Sequence, residues 1–111
     1  MKDYILTALS EDYAKEICGW RYEGEYSIYN FSDWNTVVEN QWGLAIEEKR
    51  ESEFIAILLN NELVSYGRIS LKGDIAYIGI GLKPSFCGKS YGKDIMNLLI
   101  EECKKRFDVS I

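Results

Sequence analysis

Apolar residues are spaced in two different ways along this 111-residue chain. Up to about residue 53 they recur at helical intervals or with no clean period; over residues 54–82 they form runs broken by short polar turns. Residues 4–9 predict a short opening strand. Ser10 can cap a helix with Glu11 and Asp12 in its first turn, Tyr13, Ile17 and Trp20 facing inward, and Gly19 as a natural stop. Residues 20–31 are crowded with aromatics and show no period. Ser32 or Asp33 starts a second helix carrying Trp34, Val37, Val38 and Trp42, and the charged segment 47–53 reads as a short exposed helix or loop. Strand signals follow at 54–59, 63–71 and 75–82, separated by Asn60-Asn61 and Lys72-Gly73-Asp74, residues suited to tight hairpin turns. From Tyr91 the helical interval returns, with Ile95, Met96, Leu99, Cys103 and Phe107 on one stripe and Glu101 and Lys105 four apart on the wet face. Residues 108–111 read as the opening of another strand.

One domain is expected over residues 1–111, of mixed α+β class. The longest apolar stretch, 54–59, falls far short of the roughly 20 residues that a membrane span requires. The first residues show no signal-peptide pattern, so a cytoplasmic protein without membrane association is expected. The three cysteines (Cys18, Cys87, Cys103) lack metal-ligand spacing, so no metal is expected. Histidine is absent, which excludes Ser-His-Asp triads, Cys-His dyads and imidazole acid–base catalysis.

Charge changes the picture at one place. The chain carries −5 overall, yet residues 83–106 hold six basic and three acidic side chains. Within them Ile78 leads through Gly79-Ile80-Gly81-Leu82-Lys83-Pro84 into the small-residue loop Cys87-Gly88-Lys89-Ser90-Tyr91-Gly92, and then the helix. A strand, a loop rich in free N–H groups and a helix N-terminus together suit a phosphate or pyrophosphate. Lys83, Lys89 and Lys93 surround it with positive charge. A localised basic loop on an acidic chain suits a small anionic ligand rather than nucleic acid, which needs an extended basic face. Two glycine-loop motifs fail on their spacing. A Walker A loop would need glycine where Lys83 stands, and a dinucleotide fingerprint would need glycine at Pro84.

The order of elements around residues 78–92 resembles the GNAT superfamily of acetyl-CoA-dependent N-acyltransferases. In that family an antiparallel meander leads into a bulged fourth strand, a pyrophosphate loop of the form [QR]-x-x-G-x-[GA], and a helix. The resemblance implies a mixed sheet with an antiparallel β1–β4 meander, two N-terminal helices and a helix after the loop. It also implies that the pantetheine arm of coenzyme A pairs with backbone at Ile80, Gly81 and Leu82, and that Cys87, Gly88, Lys89, Ser90, Tyr91 and Gly92 hold the pyrophosphate. Cys87 replaces the loop's opening Gln or Arg, Ser90 replaces a glycine, and Tyr77 stands where many members carry a glutamate base.

The function implied is acetyl transfer from acetyl-CoA to a small-molecule or peptide amine by direct attack, with Glu23 and Glu25 as candidate contacts for a cationic acceptor. The alternatives are a non-catalytic remnant that binds coenzyme A or only mediates association, and a domain whose glycines serve turns alone. The family pattern continues with further strands beyond the helix, whereas this sequence ends at Ile111. The expectation is therefore an uncovered sheet edge at residues 78–82 and a homodimer, or a partner that supplies the missing elements.

Overall fold

The computed structural model describes residues 3–24, 30–31, 33–87 and 91–106. The expected strand at 108–111 and Phe107 lie outside the described residues, as do Ser32, Gly88, Lys89, Ser90 and Glu25. The elements are β1 (Tyr4–Ala8), α1 (Glu11–Cys18), α2 (Trp34–Glu39), α3 (Glu47–Glu53), β2 (Phe54–Leu59), β3 (Glu62–Lys72), β4 (Ile75–Leu82) and α4 (Tyr91–Arg106). Short 3₁₀ turns cover Gly43–Ala45 and Pro84–Phe86. The sheet order is β1-β2-β3-β4, antiparallel at every pairing among the described residues. The hairpins that the patterning predicts over 54–82 form, and the antiparallel four-stranded meander is the one that the family resemblance implies.

Local chemistry sets most boundaries. The Ser10 hydroxyl accepts from the Tyr13 N–H and opens α1, and the Asp33 carboxylate accepts from the Thr36 N–H and opens α2. Those bonds hold the Asp33 carboxyl below the usual carboxylate range. Asn60 and Asn61 both take positive φ, 54° and 65°, as a primed turn between β2 and β3 requires. Gly73 alone is positive at the β3–β4 turn, the pattern of a type II′ hairpin.

The sheet separates two apolar layers. Phe54, Ala56 and Leu58 point to one side with Leu63 and Tyr66, against Ala14, Ile17 and Trp20 of α1 and its exit and Val37 of α2. Ile55 and Ile57 point to the other side with Ile69 and Ala76, against Ile95, Leu99 and Cys103 of α4. Burial on both faces explains why β2 reads as an unbroken apolar run. Fully burying Ile95 and Leu99 contributes about 1.5–3 kcal/mol each. α4 approaches so closely that a Cβ on Gly67 would lie 2.4 Å from Leu99 Cδ2. One irregularity interrupts the meander. Pairing slips between Ile57↔Ser65 and Leu58↔Leu63, which makes Val64 an extra residue in β3 and returns Leu63 to the α1 side.

Three details depart from the sequence reading. Val38 and Trp42 are exposed: within α2 only Val37 is buried, and Trp42 falls beyond the helix, which stops at Glu39 before Gln41 turns with φ 53°. The 47–53 helix is not wholly exposed: Arg50 is buried and donates from Nη1 to the Leu44 carbonyl at 3.1 Å. On α4 the ion pair formed is Glu102–Arg106 at 3.1 Å rather than Glu101–Lys105.

Candidate functional site

β4 is an edge strand among the described residues. Its pairing with β3 runs without a break from Lys72↔Ile75 to Ser65↔Leu82, so the expected bulge in β4 is not there; the slip lies in β3, at Val64. The property for which a bulge was invoked arises differently. In an antiparallel ladder, alternate residues bond the neighbour and the others turn away from it. Lys83 N–H donates to the Val64 carbonyl at 2.9 Å, which fixes the phase: 83, 81 and 79 bond β3, while 82, 80 and 78 face the open edge. The N–H and C=O groups of Ile80 and Leu82 thus point outward because of their parity.

That end of the edge opens into the largest described cavity, about 1010 Å³, walled by Tyr22, Phe31, Tyr66, Ile80, Leu82 and Cys87. Gly81 forms its floor, and Arg21 and Glu23 its rim. The wall opposite the strand is the aromatic connection after α1, and hydrogen bonds hold it in place. Tyr22 N–H donates to Asn30 Oδ1 at 2.6 Å, and Asn30 Nδ2 donates back to the Tyr22 carbonyl at 3.4 Å. Arg21 Nη1 donates to the Cys18 and Trp20 carbonyls at 2.7 and 2.9 Å, closing the C-terminal end of α1. The Tyr22 hydroxyl donates across the cavity to the outward-facing Leu82 carbonyl. Burial, then the neighbouring Tyr66 and Cys87, push the Tyr22 phenol up to about 12, so it is a hydrogen-bond donor and not a base at neutral pH.

Tyr66 is the second wall. Its ring lies 6.1 Å from Trp20 and 6.4 Å from both Phe31 and Phe54, and burial raises its phenol above the ordinary value. The ring sits directly over Gly81, where a Cβ would lie 2.3 Å from Tyr66 Cε1. The Ser65 hydroxyl, fully buried, donates to the Gly81 carbonyl at 2.6 Å and fixes that floor from below.

The structure therefore brings together Ile80, Gly81, Leu82, Cys87 and Glu23 from the sequence-derived set. Tyr91 packs edge-on against Phe86 at 5.0 Å, and a Cβ on Gly92 would lie 3.4 Å from Leu82 Cδ1, so both adjoin the same end of β4. Two expected residues are placed elsewhere. Lys83 pairs with Glu62, its Nζ 2.8 Å from Oε2. Tyr77 is exposed and lines a different cavity, near the β3–β4 hairpin tip, because its odd position turns it to the α1 side of the sheet. Sequence reasoning missed Arg21, Tyr22, Phe31 and Tyr66. The aromatic density of residues 20–31 was the available signal, but it carries no period that would tell a cavity wall from core.

Comparison with known proteins agrees with this architecture. The family model described as "Acetyltransferase (GNAT) family" matches residues 7–111, and the chain belongs to that family. Among solved structures, a GCN5-related N-acetyltransferase from Kribbella flavida is similar over 95% of this chain, with a TM-score of 0.58 at 16% identity. That likeness is one of fold, and this chain spans 28% of that protein's length. No curated protein matches the sequence significantly. No helix among the described residues is long and apolar enough to cross a membrane.

Proposed function

We propose that this domain, spanning residues 1–111, transfers an acetyl group from acetyl-CoA to a primary amine, with the β4 edge as the coenzyme track and the aromatic cavity as the place where acyl group and acceptor meet. The observation that carries the reading is the parity of β4, which turns the polar backbone groups of Ile80 and Leu82 outward into a roomy cavity. An extended amide-bearing chain pairs with such groups as an added strand does. Acetyl-CoA, when bound, would supply the thioester carbon that the amine attacks, the C–N bond forming as the C–S bond breaks and coenzyme A leaving as the thiol with the proton that the amine gives up.

The chain's own residues have separable tasks. Ile80 and Leu82 offer the backbone edge, and Gly81 lets the Tyr66 ring close over the strand between them. Cys87, Tyr91 and Gly92, with Gly88, Lys89 and Ser90, are the proposed pyrophosphate loop. Tyr22 already donates to the Leu82 carbonyl, so it supports the edge at that point and sets how far along the strand the coenzyme pairs. Glu23 at the rim, together with Glu25, is the proposed contact for a cationic amine. Pairing of the open β4 edge with a second copy or another chain is proposed for the same physical reason, since an unpaired edge is a template for strand addition.

Calorimetric titration of coenzyme A against wild type and Gly92→Val tests the site, because valine methyl groups at position 92 would meet Leu82. Weaker binding by the variant is expected; equal affinity would count against the assignment. Acetyl transfer to an amine panel then separates an enzyme from a coenzyme-binding remnant.

A further inference from the structure

On the α1 side of the sheet, a second cavity of about 500 Å³ lies beside β4, lined by Lys49, Glu53, Arg68, Lys72, Tyr77 and Gly79. Its charge is unlike that of the chain around it: three cations face one carboxylate, in a protein of net −5. The Glu53 carboxylate is shared, lying 2.9 Å from Lys49 Nζ and 3.0 Å from Arg68 Nε. Lys72 Nζ stands 5.3 Å from the centre of the Tyr77 ring. A surplus of two positive charges therefore borders the cavity.

Arg68 is held rather than free. Its guanidinium stacks on Phe54 at 4.9 Å, its Nε is spent on Glu53, and a Cβ on Gly43 would lie 3.2 Å from its Nη2. Among the described residues its two Nη groups donate to no partner. A guanidinium oriented by its Nε with both Nη groups unspent is suited to a bidentate contact with a carboxylate. Arg68 pairs with Gly79 in the ladder, and Gly81 of the aromatic cavity is two residues further on. That diagonal spans about 7–8 Å between strands; Gly79 puts no side chain there, and the Tyr66 ring over Gly81 is the aromatic cavity's wall on that side.

Resting on the acetyl-transfer reading, we infer that this second cavity is a subsite for a carboxylate on the acceptor, which is therefore a short amino acid whose amine and carboxylate are several carbons apart. The amine lies in the aromatic cavity, and the carboxylate between Arg68 and Lys72.

The test compares 5-aminopentanoate with pentylamine, which differ only in the carboxylate. Each is titrated into the protein without coenzyme, and the amide resonances of Gly43, Ser70 and Gly79 are followed by NMR. Saturable shifts are expected with 5-aminopentanoate and not with pentylamine. Lys72→Glu, at an exposed position, should weaken binding about tenfold, as should Arg68→Lys, which keeps the charge and loses the fork. Equal responses to the two compounds, or 5-aminopentanoate binding unchanged in Lys72→Glu, would overturn the subsite. Carboxylate-dependent binding without acetyl transfer would uphold the subsite and count against the proposed activity. Acetyl transfer to both compounds with the same KM would do the reverse.

Discussion

Gly79 and Gly81 occupy the same strand and the same face, two residues apart, yet alanine at each should change stability in opposite directions. At position 81 the new Cβ would lie 2.3 Å from Tyr66 Cε1, 2.5 Å from Cζ and 2.8 Å from the hydroxyl oxygen. Carbon atoms rest at about 3.5–4.0 Å, so the ring would have to retreat by roughly 1 Å. Trp20, Phe31 and Phe54 pack around it at 6.1–6.4 Å, so it can yield only into the cavity and at the expense of those contacts. Overpacking of this kind costs about 1–3 kcal/mol. Replacing glycine also restricts the unfolded chain, which returns about 0.4–1 kcal/mol. The net expectation for Gly81→Ala is a loss of about 1–2 kcal/mol, or a Tm lower by roughly 4–8 °C at this chain length. At position 79 the nearest atom to the new Cβ is Arg68 Cβ at 3.9 Å, an ordinary contact. Gly79→Ala should therefore be neutral or stabilising by about 0.5 kcal/mol. Urea unfolding of both variants measures the difference, and Tyr66→Leu supplies the second arm of a double-mutant cycle. If the ring is the obstacle, Gly81→Ala costs less in the Tyr66→Leu background. Equal stabilities for the two alanine variants, or no coupling to Tyr66, would refute the reasoning.

Three further outcomes are expected. The Tyr22 phenol is raised, so its contribution to stability is fully present below the ordinary value of 10.0 and is lost as pH rises through about 12; Tyr22→Phe should be less stable than wild type at neutral pH, the two unfolding curves should converge in alkali, and absorbance titration should show one fewer late-ionising tyrosine. The Glu53 carboxyl is lowered, first by its hydrogen bond from Lys49 and further by Arg68, so its contribution is present above the ordinary 4.5 and lost as pH falls through the lowered value; Glu53→Gln should cost up to about 1 kcal/mol at neutral pH and nothing in acid, where the two unfolding curves converge. Ser65→Ala removes the bond to the Gly81 carbonyl and should cost about 1 kcal/mol in urea unfolding, with no change in the far-UV spectrum.

Much of this fold was legible in the sequence, because its strongest signals are local. The Asn60-Asn61 turn, the Ser10 and Asp33 caps, and the Ile95–Leu99–Cys103 stripe each depend on a few neighbouring residues, and each formed where the pattern placed it. The site was legible only along β4. Its Ile80, Gly81 and Leu82 stand together at the cavity, but the facing wall comes from Tyr22 and Phe31, about 50–60 residues earlier in the chain. No period or motif marks such a wall, since it is assembled by packing. Lys83 shows the converse error. Proximity in sequence to a glycine loop suggested an anion contact, whereas folding places Glu62 at 2.8 Å from its ammonium.

The arrangement of β4 also explains why one short strand can be both part of the core and an open edge. Its even-numbered residues, Ala76, Ile78, Ile80 and Leu82, turn their side chains toward α4 and their backbone polar groups toward the open edge. Its odd-numbered residues, Tyr77, Gly79 and Gly81, turn their backbone groups to β3 and their side chains toward α1. Apolar side chains at even positions thus anchor the very residues whose backbone is exposed, and on the opposite face Gly79 leaves ordinary clearance while Gly81 admits the Tyr66 ring. Both properties follow from a single phase, set by the Gly73 turn at one end and by Lys83 bonding to Val64 at the other. A slip of one residue would exchange the two sets. Ile80 and Leu82 would then bond β3, their side chains would collide with Tyr66, and the glycines would leave holes beneath α4. The register is held by the α4 core itself, so the packing that stabilises the sheet also fixes the chemistry of its edge.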